Sequence, residues 1–168
     1  MHPLAKYMLA LLAAFAIAPS LLAREDIPLW DLEGKPTSLA ALAKSEPLFL
    51  ALFHDYQRID GPLRFITLVD QPKYADRANA LICLPLSNTS PLARQSKAAL
   101  VKRYISGEFM RSRLYFVGED EIQSLLGSAK YALLTPELDT IWTASSYPSE
   151  SHMMLFDQAV DRCAPPKE

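Results

Sequence analysis

The chain has 168 residues, 17 basic and 19 acidic side chains, a formal charge of −2 and a hydrophobic content of one half. So balanced a charge excludes general nucleic-acid binding, and so apolar a composition excludes a disordered polypeptide. Five glycines leave little material for a phosphate-cradling loop, and neither a G-x-S-x-G elbow nor a fixed-period repeat occurs.

Met1–Lys6 ends in one basic residue and Tyr7–Ala18 is apolar throughout. Pro19-Ser20 then breaks the run, and Leu21-Leu22-Ala23 precedes the charged Arg24-Glu25-Asp26. A basic start, an apolar stretch and a small residue before a charged one make a secretory signal over residues 1–23, cut after Ala23. A periplasmic protein is expected. The alternative is an uncleaved anchor, although Tyr7–Ala23 stands at the short end of what spans a bilayer. Membrane contact is expected through this segment alone, and only if it stays uncleaved. Residues 24–163 then form a single domain, and the Pro-rich Ala164–Glu168 a frayed tail.

Ile27–Asp31 is a short strand-like stretch ended by the turn residues Glu33-Gly34-Lys35. Thr37-Ser38 can cap a short helix, Leu39–Ala43. Pro47–Phe53 (PLFLALF) is a continuous apolar run between polar flanks, as expected of a central strand covered on both faces. Pro62 opens a helix to about Asp70, with Leu63, Ile66 and Val69 on one face. Asn79–Leu86 (NALICLPL) is a second strand, and Pro85 suggests an edge or terminal place for it. Ser90-Pro91 begins an amphipathic helix to about Ser106. Leu92, Ala99, Leu100 and Tyr104 are expected inward and Arg94, Lys97, Lys102 and Arg103 outward, with Gly107 ending the helix. Arg113–Val117 is a short strand and Glu119–Leu126 a short helix closed by Gly127. Tyr131–Leu134 and Leu138–Thr143 form a hairpin about Thr135-Pro136-Glu137. Met153–Val160 is the last helix. Strands alternating with helices and ending in a hairpin mean an α/β fold with a mixed central sheet flanked by helices.

Three of these segments, in order, resemble the thioredoxin-like superfamily, in its periplasmic thiol–disulfide interchange and peroxiredoxin-type branch. Leu29–Leu42 (LWDLEGKPTSLAAL) is similar to that group's "D-x-x-G-K-x-x-S-L" opening. Pro47–Phe53 is similar to the strand that delivers its active site. Tyr131–Trp142 (YALLTPELDTIW) is similar to its later hairpin, "T-F-L-I-D-x-D-G-x-I-V", and Tyr74–Leu86 to the segment between. The resemblance implies a redox pair, Cys-x-x-Cys, after the central strand, where a helix N-terminus lowers a thiol's pKa. This chain has His54-Asp55-Tyr56-Gln57-Arg58-Ile59-Asp60-Gly61 there instead, and no cysteine before Cys83. The family's cis-proline falls near Ala129, where no proline stands. The resemblance therefore implies a degenerate member without catalytic residues or cofactor, acting as a binding or accessory module for a cell-envelope protein.

Cys83 and Cys163 are the only cysteines. In an oxidising compartment they are expected to be bridged, the alternative being a buried apolar Cys83 and a free Cys163. An unconventional oxidoreductase using that pair is a second functional reading. His54 and Asp55, with Tyr56 and Arg58, make a candidate binding loop, against the plainer reading of an ordinary polar loop. A hydrolase or metal site around His54 and His152 is the third reading, but two histidines and scattered acids do not complete a metal-ligand set. Arg94, Lys97, Lys102, Arg103, Arg111 and Arg113 oppose a single acid over the same stretch, Glu108, and offer either a basic face for an anionic partner or lipid headgroups, or a solvated helix surface.

Overall fold

The structure is a computed structural model and describes residues 26–44, 46–53, 60–74, 77–105 and 107–163. The expected signal segment, the tail, and the loop residues His54, Asp55, Tyr56 and Arg58 lie outside them.

Seven strands form one mixed sheet: β1 Pro28–Asp31, β2 Pro36–Ser38, β3 Leu48–Leu52, β4 Asn79–Leu86, β5 Leu114–Gly118, β6 Tyr131–Leu134 and β7 Thr140–Ala144. Their spatial order is β2-β1-β5-β4-β3-β6-β7. The helices are α1 Leu39–Ala43, α2 Asp60–Val69, α3 Pro91–Tyr104, α4 Glu108–Arg111, α5 Glu119–Leu126 and α6 Glu150–Cys163. β3, β4 and β5 run parallel, joined by crossovers through α2 and α3, while β1 and β6 flank them antiparallel. That is the α/β mixed sheet expected.

Strand parity sorts the core into two faces. Phe49 and Ala51 of β3 pack with Phe65, Ile66 and Val69 of α2, with Ala98 and Val101 of α3, and with Phe156, Ala159 and Val160 of α6. Leu48, Leu50 and Leu52 point the other way, into Leu39 and Ala43 of α1 and Ile122 and Leu126 of α5. β3 is buried at every position, which is why it reads as one unbroken apolar run.

Local chemistry sets the boundaries. Ser38 caps α1 by accepting from Ala41 N at 3.2 Å, as expected. Asp31 Oδ1 accepts from the amides of Glu33 and Lys35 at 3.0 and 2.8 Å and so builds the β1–β2 turn, where Gly34 takes φ 84°. Arg111 donates to the carbonyls of Ile105 and Lys102 at 2.6 and 2.8 Å, closing the C-terminal end of α3.

Of the two places that Pro85 allowed for β4, an edge or a terminal position, the structure has the second: β4 lies between β3 and β5, but β3 ends opposite Cys83, so residues beyond it pair only with β5, and the proline without an N–H is tolerated in that terminal stretch. Three expectations need correction. In α3 the inward residues are Ala98 and Val101, while Leu92 and Tyr104 are 74% and 57% exposed. The hairpin turn extends through Leu138, so β7 starts at Thr140. Cys83 and Cys163 are both free thiols. Cys83 belongs to the face covered by α1 and α5 and Cys163 to the face covered by α6, so the sheet itself stands between them.

Candidate functional site

β3 ends at Leu52 and α2 begins at Asp60, so the segment 54–59 bridges the C-terminal end of the central strand and a helix N-terminus. The chain just before β6 closes this end of the sheet, with Leu52 N donating to Lys130 O at 2.7 Å. Ala129 stands in that approach.

The described rim is aromatic and polar. Gly61, in the first turn of α2, lies so close to Tyr131 that a Cβ added there would sit 2.9 Å from the phenolic oxygen. The Tyr131 ring packs 5.2 Å from Phe65. Burial pushes the Tyr131 phenol up from its ordinary value, and the neighbouring Tyr147 phenol adds to the effect. Tyr147, in the β7–α6 connection, is 49% exposed and meets Phe65 edge-on at 6.4 Å. From it a groove of about 560 Å³ runs along α2 past Asp60, Leu63, Arg64 and Thr67. Two phenols, a carboxylate and a guanidinium can stack and hydrogen-bond. They supply no thiolate nucleophile.

Neither cysteine reaches this rim. Cys83 pairs in register with Leu52, one strand from the site, but is 0% exposed on the opposite face. Burial pushes its thiol up to about 12. Cys163 ends α6 and lines a groove of about 540 Å³ with Thr135, Pro136, Glu137 and Ile141. The 135–139 turn follows Leu134, which pairs with Leu48, so Cys163 lies at the far end of β3 from the site. Burial raises its thiol pKa, against the lowering influence of Arg77 and Arg162. His152 is exposed in the first turn of α6, its Nδ1 3.2 Å from Ser149 Oγ. Among the described residues no three His, Cys, Asp or Glu side chains gather as a metal site would require.

The cations of the expected basic face are largely engaged within the fold. Arg94 stacks 4.4 Å over Trp30 and donates to Thr89 O. Lys102 pairs with Glu33 at 2.8 Å, Arg113 with Asp70 at 2.5 Å, and Arg111 serves the end of α3. A second polar cluster ties the α2–β4 connection to α6. Lys73 meets Asp157 at 2.6 Å, Arg77 meets Asp161 at 2.7 Å, and the Tyr74 hydroxyl donates to Asp157.

The sequence reading placed the site on the segment after β3 but missed Tyr131 and Tyr147. Only the pairing of β6 with β3, and the return of the chain after β7, bring them to it. No run or spacing in the sequence signals that convergence.

No family model and no curated protein matches the sequence. Solved structures do match in fold. The pneumococcal exposed lipoprotein thioredoxin Etrx1 from Streptococcus pneumoniae aligns at TM-score 0.55 and 11% identity, over 79% of this chain and 98% of that one. The peroxidoxin BcpB from Mycobacterium tuberculosis aligns at 0.52 and 17%, over 83% and 94%. BsSco, of the Sco family of cytochrome c oxidase assembly proteins, aligns at 0.52 and 12%, over 86% and 95%. The sheet order, the parallel crossovers and this likeness agree: the chain has a thioredoxin-like fold.

Proposed function

We propose that this chain is an exported protein that captures a protein partner of the cell envelope, through the segment after β3 and the first turn of α2, without thiol exchange. The placement of the thiols carries this reading. Exchange of the thioredoxin kind requires an accessible thiolate at the N-terminus of α2. That position is framed by Asp60, Tyr131 and Tyr147, while Cys83 is buried on the other face and Cys163 lies at the other end of the sheet. The exposed Tyr147, in the β7–α6 connection beside Asp60 and Arg64 of α2, offers stacking and hydrogen-bonding groups of the kind that recognition uses. The leader-like residues 1–23 support export, and one structure of the same fold is an exposed lipoprotein.

The test has two arms. Protein purified after export, with Arg24 as its first residue by mass spectrometry, is assayed for reduction and oxidation of model disulfides and for peroxide consumption. Partners are then captured from the envelope by mild cross-linking, with the wild type and with His54→Ala, Tyr56→Ala and Arg58→Glu. No turnover, together with a specific partner lost in these variants at unchanged melting temperature, is the expected outcome. Disulfide turnover abolished by Cys83→Ser, again at unchanged melting temperature, rejects the binding reading for an oxidoreductase using Cys83 and Cys163.

A further inference from the structure

We propose that Ala164–Glu168 folds back over the groove between α6 and the 135–137 turn, with its prolines on the apolar floor and Lys167 at Glu137. The tail then covers Cys163, the one thiol that solvent can reach. Where the chain leaves the fold is the first argument for this occupant. α6 ends at Cys163, and Cys163 itself lines the groove of about 540 Å³, so the segment that follows starts at the groove wall. Backbone chemistry is the second. Pro165 bars Ala164 from the helical region, and Pro166 does the same to Pro165, so α6 cannot run on. A Pro-Pro pair favours polyproline II geometry, has no internal hydrogen bonds to break and loses little entropy on docking.

The floor that the prolines meet is apolar. Ala159 of α6 is buried there, and Ile141 of β7 and Pro136 of the turn are half-buried. The rim supplies the charge. Glu137 is exposed on it, and among the described residues no cation pairs with its carboxylate. The neighbouring Arg162 is engaged with its own helix, donating from Nε to Gln158 O at 3.1 Å. Lys167 brings the missing counter-charge. It stands four residues past Cys163, and four extended residues span up to about 13–14 Å, enough to cross from α6 to the turn.

Such a cover has a use for a protein with a free thiol outside the reducing cytoplasm. Thiol–disulfide exchange depends on access to the attacking sulfur, so a tail laid over Cys163 slows its capture by disulfides of other molecules. The groove lies at the other end of β3 from the partner-binding rim, and failure of this proposal leaves the turnover and capture assays untouched.

Alkylation kinetics of the native protein with iodoacetamide test it. Cys83 is buried, so the rate reports Cys163 alone and follows the fraction of time the tail stands open. Lys167→Glu should raise that rate about threefold, the scale of one exposed ion pair. Pro165→Gly with Pro166→Gly should raise it as well, because a freer chain loses more entropy on docking. Glu137→Lys should also raise it, and Glu137→Lys combined with Lys167→Glu should return it toward the wild-type value. Near-ultraviolet circular dichroism confirms that each variant is folded. A Lys167→Glu rate equal to that of the wild type overturns the proposal. So does a double variant as fast as Glu137→Lys alone, since residue 137 would then act on the thiol without the tail.

Discussion

Leu138 sets two demands against each other at one residue. Its φ of 67° lies in the left-handed region that favours glycine, yet its side chain is only 4% exposed, in the core face beneath α1 and α5. Truncation to alanine should cost about 2–4 kcal/mol, since a buried leucine is lost while the Cβ that clashes in this conformation remains. Glycine removes that Cβ as well. It forfeits about 0.8 kcal/mol more for the last buried methyl but recovers roughly 1–2 kcal/mol of backbone strain. Leu138→Gly should therefore be less stable than the wild type but more stable than Leu138→Ala, by up to about 1 kcal/mol, the reverse of the order in a helix or strand interior. Lys44 is the control, with φ 48° at the end of α1 and an exposed side chain. With no burial to lose, Lys44→Gly should stabilise by about 1 kcal/mol and Lys44→Ala should change little. Urea midpoints at a common m-value give all four differences. If Leu138→Ala proves equal to or more stable than Leu138→Gly, backbone strain does not act at this turn and the reasoning fails.

Three further outcomes follow from the packing. Burial works to raise the Asp157 carboxyl, but hydrogen bonds from Lys73 and Tyr74 and the charges of Lys73 and Arg77 hold it below its ordinary 3.8. Its stabilisation is therefore complete above that value and is lost as pH falls through the depressed one, and Asp157→Asn should flatten the acid limb of stability measured from pH 5 to pH 2. In the native protein one thiol per chain, Cys163, should be alkylated, and Cys83 only on unfolding; two equally fast thiols would contradict the burial of Cys83. Gly61→Ala should destabilise by about 1–2 kcal/mol because its Cβ meets a hydroxyl on a packed ring, and adding Tyr131→Phe should recover much of that loss, a coupling read from a double-mutant cycle.

How much was legible in the sequence depends on how far each signal reaches. Pro47–Phe53 was plain because a strand covered on both faces has no polar position to break the run, and the missing cysteines after it needed no structure to be seen. The facing of α3 was misread because apolar residues stand on both of its sides. Small Ala98 and Val101 fill the interface while Leu92 and Tyr104 face out, so composition cannot phase the helix. Leu138 gave no sign of a turn, since glycine or asparagine would ordinarily announce a left-handed position. The expected disulfide failed on parity. Cys83 and Cys163 suit each other by compartment and count, but which face of β4 carries residue 83, and which face α6 covers, are decided by long-range packing.

The wiring of the sheet also governs the order in which the chain can close. Leu29 stands opposite Val117 in the ladder, and Leu48 opposite Leu134, so β1 and β3, which meet β2 and β4 early, complete their second pairings only with strands made much later in synthesis. Phe156, Ala159 and Val160, which complete one core face, come later still. A topology dominated by such distant pairings folds slowly, because loop closure must precede any reward from contact. Slow closure of this kind fits the export proposed above, since a transport machinery that accepts only extended chain competes best with a fold that closes late.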